Sequence, residues 1–187
     1  MKKIIVMLML TLFLCGCGDK PQEYLVTAIG VDYEKALYTV SFEAVVVNTE
    51  INGQERLVLT GQGRTLIKAI DEVKKQTTQP LLLSHCGVVA VGNGISQQKL
   101  GGIMRYCKEE KDITLSIRFL KTENAAELLK TEPISSVSVG YDLMSLFDAQ
   151  KQQNKDIKNR LFEIYEQLSP TLPTIKTNET GYYFEKY

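Results

Sequence analysis

The residues with most chemical potential in this sequence are its cysteines, and Leu14-Cys15-Gly16-Cys17 sets one of them in a telling context. Leu14 stands three positions before Cys17, with small residues between. Small residues suit a peptidase pocket, and a cysteine thiolate is the common side chain able to take a diacylglycerol as a thioether. Cleavage before Cys17 then frees an amine for a further acyl chain. Other stretches offer less. His85-Cys86 could pair a base with a nucleophile, but both would have to face one cleft. In a strand over Leu81–Val91 adjacent side chains point to opposite faces. Gly61-Gln62-Gly63 lacks the lysine of a phosphate loop and the third glycine of a dinucleotide fingerprint, so it reads as a turn. Gly30-Val31-Asp32 likewise reads as a turn at a strand end. One histidine and four cysteines are a poor basis for a zinc site. Lipidation is therefore expected at Cys17, and no residue is expected to be catalytic, cofactor-binding or metal-binding.

The flanks of Cys17 support that assignment. Lys2 and Lys3 form a positive start, and Ile4 to Leu14 is apolar but for Thr11. A spanning helix needs about 20 apolar residues, so this run is too short to cross a bilayer and matches the core of a secretory signal peptide. Residues 1–16 are expected to be that signal. Two or three acyl chains on Cys17 would hold the chain durably to a membrane. The whole chain has 22 basic and 22 acidic residues, so losing Lys2 and Lys3 leaves the remainder two charges negative. Neither anionic lipid nor nucleic acid is attracted by such a balance. Cys86 and Cys107 remain, either as buried free thiols or as an extracytoplasmic disulfide.

The elements that would position these residues follow from pattern. At 187 residues, 44% hydrophobic and 24% charged, the chain suits an ordinary globular domain. Tyr24–Asp32 and Leu37–Val47 read as an antiparallel hairpin, and Arg56–Thr60 as a third strand. A helix from about Thr65 buries Leu66, Ile70 and Val73, and Pro80 opens the Leu81–Val91 strand. The helix Ser96–Lys108 carries Leu100, Ile103, Met104 and Cys107 on one face. Asp112–Leu120 returns as a strand. Asn124 and Glu127 form a capping box for a helix over Ala125–Lys130. Tyr141–Lys151 is helical, as is Asp156–Leu168 with Ile157, Leu161, Ile164 and Leu168 on one face. The order predicts an α+β fold, a mixed sheet with helices packed on it. Residues 17–168 form that N-terminal α+β domain. Residues 169–187 form a linker and the start of a truncated second domain. There Tyr182–Phe184 is a strand without a partner, free to add to another sheet.

The series Leu14-Cys15-Gly16-Cys17 with Asp19 and Glu23, Ala28-Ile29-Gly30-Val31-Asp32, Thr60-Gly61-Gln62-Gly63-Arg64-Thr65 with Ala69-Ile70, Leu83-Ser84-His85 before Val88-Val89-Ala90-Val91-Gly92, and Leu172-Pro173 runs through nearly the whole chain. In order and spacing it resembles the Ger(x)C family, the C-subunit lipoproteins of bacterial spore germinant receptors. Family chains commonly carry Trp after the lipidated cysteine, where this one has Gly18, and usually continue through further α+β domains. The resemblance implies a non-enzymatic subunit without cofactor, working beside integral membrane A- and B-type receptor subunits at the extracytoplasmic face of the spore inner membrane. The alternative is an extracytoplasmic solute-binding lipoprotein of a transporter. That would need two sizeable lobes, and the mature length suits one domain. A lipoprotein enzyme finds no catalytic constellation.

Overall fold

β-Branched and aromatic residues fill Tyr24–Glu34 (β1) and Leu37–Asn48 (β2), which pair antiparallel with Tyr24 opposite Val46 and Glu34 opposite Leu37. The computed structural model describes residues 23–48, 53–153, 155, 157–178 and 181–185. Only Lys35 and Ala36 separate the two strands, with φ of 50° and 62°. Left-handed conformations at both central positions match the twist of a two-residue hairpin. Each costs an L-residue about 1–2 kcal/mol, so strand pairing must hold the turn in place. Gly53–Gly63 (β3) pairs antiparallel with β2. Leu81–Leu82 (β4) and Val88–Val91 (β5) run parallel to β1, and Arg118–Lys121 (β6) runs parallel to β5. The resulting order, β3-β2-β1-β5-β6 with β4 beside β1, is a mixed sheet.

Helices cover both faces of it, as a run of buried residues at 26–31 and again at 40–46 requires. They are Leu66–Lys74 (α1), Gln97–Glu109 (α2), Ala125–Lys130 (α3), Val139–Gln152 (α4) and the single turn Leu161–Ile164 (α5). In one core Ile29, Val40 and Phe42 meet Ile70 and Val73 of α1, Ile103 and Cys107 of α2, and Leu161 of α5. In the other, Ala28, Val88 and Leu120 meet Leu129 of α3 with Leu143 and Phe147 of α4. The α+β expectation holds, and Thr65, Ser96 and Asn124 each accept an N–H in the first turn of their helices. Only half of the capping box forms, because Glu127 pairs with Lys130 Nζ at 2.9 Å.

Several expected boundaries move. Gly61-Gln62-Gly63 is the end of β3 and not a turn: a Cβ on Gly63 would come within 2.6 Å of the Ala69 amide nitrogen, so the glycine lets α1 lie directly on the strand. The strand expected over Leu81–Val91 is interrupted. Tyr24 faces Leu81 but Ala28 faces Val88, and the extra residues are absorbed in the 3-10 turn Leu83–His85. The strand expected from Asp112 begins only at Arg118, after turns closed by Ile113 N–H to Glu110 and Ile117 N–H to Thr114. The helix expected over Asp156–Leu168 shrinks to α5. The open edge of β6 takes its upstream residues instead: Phe119 N–H donates to the Asn159 carbonyl at 2.8 Å, and the Asn159 amide donates back to Phe119 at 2.7 Å. Leu168 is fully exposed.

The tail has its own partner. Ile175–Asn178 (β7) and Gly181–Phe184 (β8) pair antiparallel, so the expectation of an unpaired Tyr182–Phe184 strand is overturned. Ile175 is buried in the second core, and the Phe184 ring lies 5.2 Å from that of Phe147. The Tyr182 hydroxyl reaches Thr131 Oγ1 at 3.1 Å and the Glu132 carbonyl at 3.2 Å.

Ile103 and Leu161 are both essentially inaccessible. Ile103→Ala and Leu161→Ala should each lower unfolding free energy by about 2–5 kcal/mol in denaturant titrations. Leu168→Ala should stay within about 0.5 kcal/mol of the parent.

Candidate functional site

A carboxylate in the middle of β2 organises the second face of the sheet. Glu43 is fully buried, in a strand whose other residues from Tyr38 to Val47 are Val, Phe, Ala and hydroxyl residues. Four donors converge on it. Arg56 Nε on β3 lies 2.6 Å from Oε1, and Thr27 Oγ1 on β1 lies 2.9 Å from Oε2. The backbone N–H groups of Val139 and Gly140, the first residues of α4, each donate at 2.7 Å. Arg56 then uses Nη2 to bond the carbonyls of Leu129 and, at 2.9 Å, Thr131, at the end of α3. One ion pair therefore seats the start of α4 and the end of α3 on three strands. A carboxylate also suits the positive end of the α4 dipole. A Cβ on Gly140 would come within 2.7 Å of the Thr27 carbonyl, so glycine permits this close seating. Sequence reading passed over Glu43 and Arg56. The available signal was a lone acidic residue inside a strand rich in β-branched and aromatic residues.

A second carboxylate makes a similar seat at the opposite end of β1. Asp32 accepts the N–H groups of Ala125 and Ala126 at 2.8 Å each, capping α3 together with Asn124. It is thus a helix cap and not part of a turn. Burial raises its pKa, outweighing those two N–H groups, and the nearby Glu127 charge adds to the rise. A Cβ on Gly92 would collide with this carboxylate. Two of the sequence elements singled out above, the one ending in Asp32 and the one ending in Gly92, are therefore one packing unit. The third acidic group is Asp142 in the first turn of α4. It accepts Ile134 N–H at 2.5 Å, Ser135 N–H at 3.2 Å and the Ser135 hydroxyl at 2.8 Å, fixing the loop between α3 and α4. Burial works to raise its pKa, but these hydrogen bonds prevail and hold it below its ordinary value.

Among the described residues, His85, Cys86 and Cys107 do not assemble into a reactive site. Cys17 lies outside the described residues. Cys86 and Cys107 are free and buried in one core, so no disulfide joins them. Burial drives the Cys86 thiol well up and the Cys107 thiol to about 12, which keeps both protonated. Cys86 Sγ donates weakly to the Val88 carbonyl at 3.5 Å, while His85 is exposed on the 3-10 turn. The surface carries open grooves: about 570 Å³ beside Asn124, Glu127 and Lys176, and about 300 Å³ between α1 and α2 beside Tyr38, Ile67 and Tyr106. Neither is lined by His85, Cys86 or Cys107. Among the described residues, no group of His, Cys, Asp and Glu could hold a metal ion. No described helix is long and apolar enough to cross a membrane.

Residues 22–177 match the family described as Spore germination protein N-terminal domain. No curated protein and no solved structure matches the chain.

Arg56→Met strands a buried carboxylate and should cost about 3–5 kcal/mol in denaturant unfolding. The double variant Glu43→Gln/Arg56→Met should cost less than the sum of the two single variants, because the second change removes the charge that the first one strands. A carboxylate with a depressed folded pKa stabilises above its unfolded value, about 3.9, and loses that stabilisation as pH falls through the folded value. Asp142→Asn should therefore be less stable than the parent at neutral pH, with the gap closing below about pH 4. Asp32, shifted the other way, is common to both proteins and cancels in the comparison.

Proposed function

The chain belongs to the spore germination protein N-terminal domain family, and we propose that it is the lipid-anchored, non-enzymatic subunit of a spore nutrient germinant receptor. A role in spore germination comes with the family. The observation that carries the finer reading is the conjunction of that match with Leu14-Cys15-Gly16-Cys17 immediately upstream of it. In this reading residues 1–16 are removed, Cys17 carries the acyl chains, and the domain stands on the extracytoplasmic face of the spore inner membrane. It works there by contact with the integral membrane A- and B-type subunits.

Support for contact over catalysis lies in what the notable residues do. Asp32, Glu43 and Asp142 are occupied with helix N-termini and a loop, and the two thiols are protonated core residues. A tether raises the concentration of the domain beside membrane subunits without requiring new affinity. Weak contacts over an ordinary protein surface then suffice.

Cys17→Ala should abolish labelling by a lipid precursor and move the protein from the membrane to the soluble fraction. Retention of full membrane association by an unlabelled variant would count against the anchor. Spores lacking the gene should respond more slowly to at least one nutrient and normally to stimuli that bypass receptors. Unchanged responses across a broad nutrient panel would withdraw the receptor role.

A further inference from the structure

Leu115 and Phe162 are among the large apolar side chains that the fold leaves uncovered, being 49% and 58% exposed. They come from different segments. Leu115 lies in the turns before β6, and Phe162 is the second residue of α5. Phe162 N–H donates to the Leu115 carbonyl at 3.1 Å, and Leu161 N–H donates to the Ile117 carbonyl at 2.9 Å, so the two exposed residues sit side by side. Their neighbours Ile113, Ile117 and Leu161 are buried, which fixes this pair on a rigid base.

The sheet tells which end of the domain this is. β1, β5 and β6 are parallel, and Ala28, Val88 and Arg118 lie abreast across them. Tyr24 precedes Ala28 and Leu115 precedes Arg118, so both lie at the end where these strands begin. The chain enters the domain at that end. Only six residue steps separate Glu23 from Cys17, and an extended chain spans at most about 3.6 Å per residue, so the tether reaches no more than roughly 20 Å. The hairpin turn Lys35-Ala36, at the far end of β1, points the other way. If Cys17 is acylated, the end bearing Leu115 and Phe162 is the one held close to lipid.

We propose that this end of the sheet is a membrane-facing surface, with Leu115 and Phe162 seated at the boundary between lipid headgroups and acyl chains. The inference rests on the anchor reading above and adds an orientation to it. Charge is not the attraction, because Lys108 and Lys111 at this end are offset by Glu109, Glu110 and Asp112. Two apolar side chains alone would bind a bilayer weakly, but the tether makes their contact an intramolecular event. The consequence is a domain held at a defined angle, with the β1–β2 turn directed away from the membrane.

The test uses the full lipid-modified chain in vesicles whose phospholipids are brominated along the acyl chains. A fluorophore is placed at Ser116→Cys, next to Leu115 and exposed, or at Lys35→Cys on the far turn. The remaining thiols of the mature chain are buried, so labelling is selective. Quenching at position 116 should exceed that at position 35 several-fold, and adding Phe162→Asp should lower it toward the level of position 35. Equal quenching at the two positions, or none at 116 in a vesicle-bound chain, overturns the proposal and leaves the anchor intact. A chain that fails to bind vesicles and carries no lipid on Cys17 overturns both. If position 116 is unquenched in vesicles but shielded from aqueous iodide in native membranes, a protein covers the patch and the lipid contact is refuted.

Discussion

A carboxylate buried among apolar strands is tolerable only if its oxygens are fully hydrogen-bonded and its charge is matched. At Glu43 that demand reaches through five elements. The carboxylate takes Arg56 from β3, Thr27 from β1 and the first two amides of α4, while Arg56 takes the carbonyls at the end of α3. None of these groups can be withdrawn without leaving another unpaired. The position of α4 over the sheet is therefore set by hydrogen-bond satisfaction before any side-chain packing is considered. The packing of Leu143 and Phe147 against Val88 and Leu120 follows from it.

The same kind of accounting shapes the edge beyond β6. An edge strand presents unpaired amides and carbonyls, and proteins cover them. Here Asn159 covers them with both its backbone and its side chain, an isolated bridge joins Arg160 to Arg118, and Thr174 meets Lys121 farther along. Drawing residues 159 and 160 into this role denies them to a helix. The chain after α5 then crosses back along the domain, and β7–β8 closes over α3 and α4. The strands β7 and β8 thus rest on the same core as the rest, through Ile175, Tyr182 and Phe184.

For a family member argued to act by contact, these devices matter more than reactive groups. Three acidic side chains hold helix termini or loops, and glycines at 63, 92 and 140 permit close approach of helix or carboxylate. The motifs that carry the family resemblance are largely of this structural kind. They hold strands, helix termini and loops in fixed relation to one another.

The sequence by itself determined a good deal: the first hairpin, the spans of α1 to α4 to within a few residues, the buried stripe of α2 and the mixed α+β class. It did so because these depend on local periodicity and capping, which neighbouring residues alone express. The lipidation proposed for Cys17 likewise rests on adjacent residues alone. Tertiary structure alone decided the rest. Glu43 and Arg56 look like ordinary polar strand residues until α4 is docked, since their partners lie as many as 97 positions away. Gly61 and Gly63 read as a turn because a strand glycine is explained only by the helix lying on it. The helical face at Ile157 and Leu168 failed because satisfying the amide of Phe119 outweighed local helix formation. Sequence periodicity records what a segment prefers, and the unmet hydrogen bonds of distant segments settle what it does.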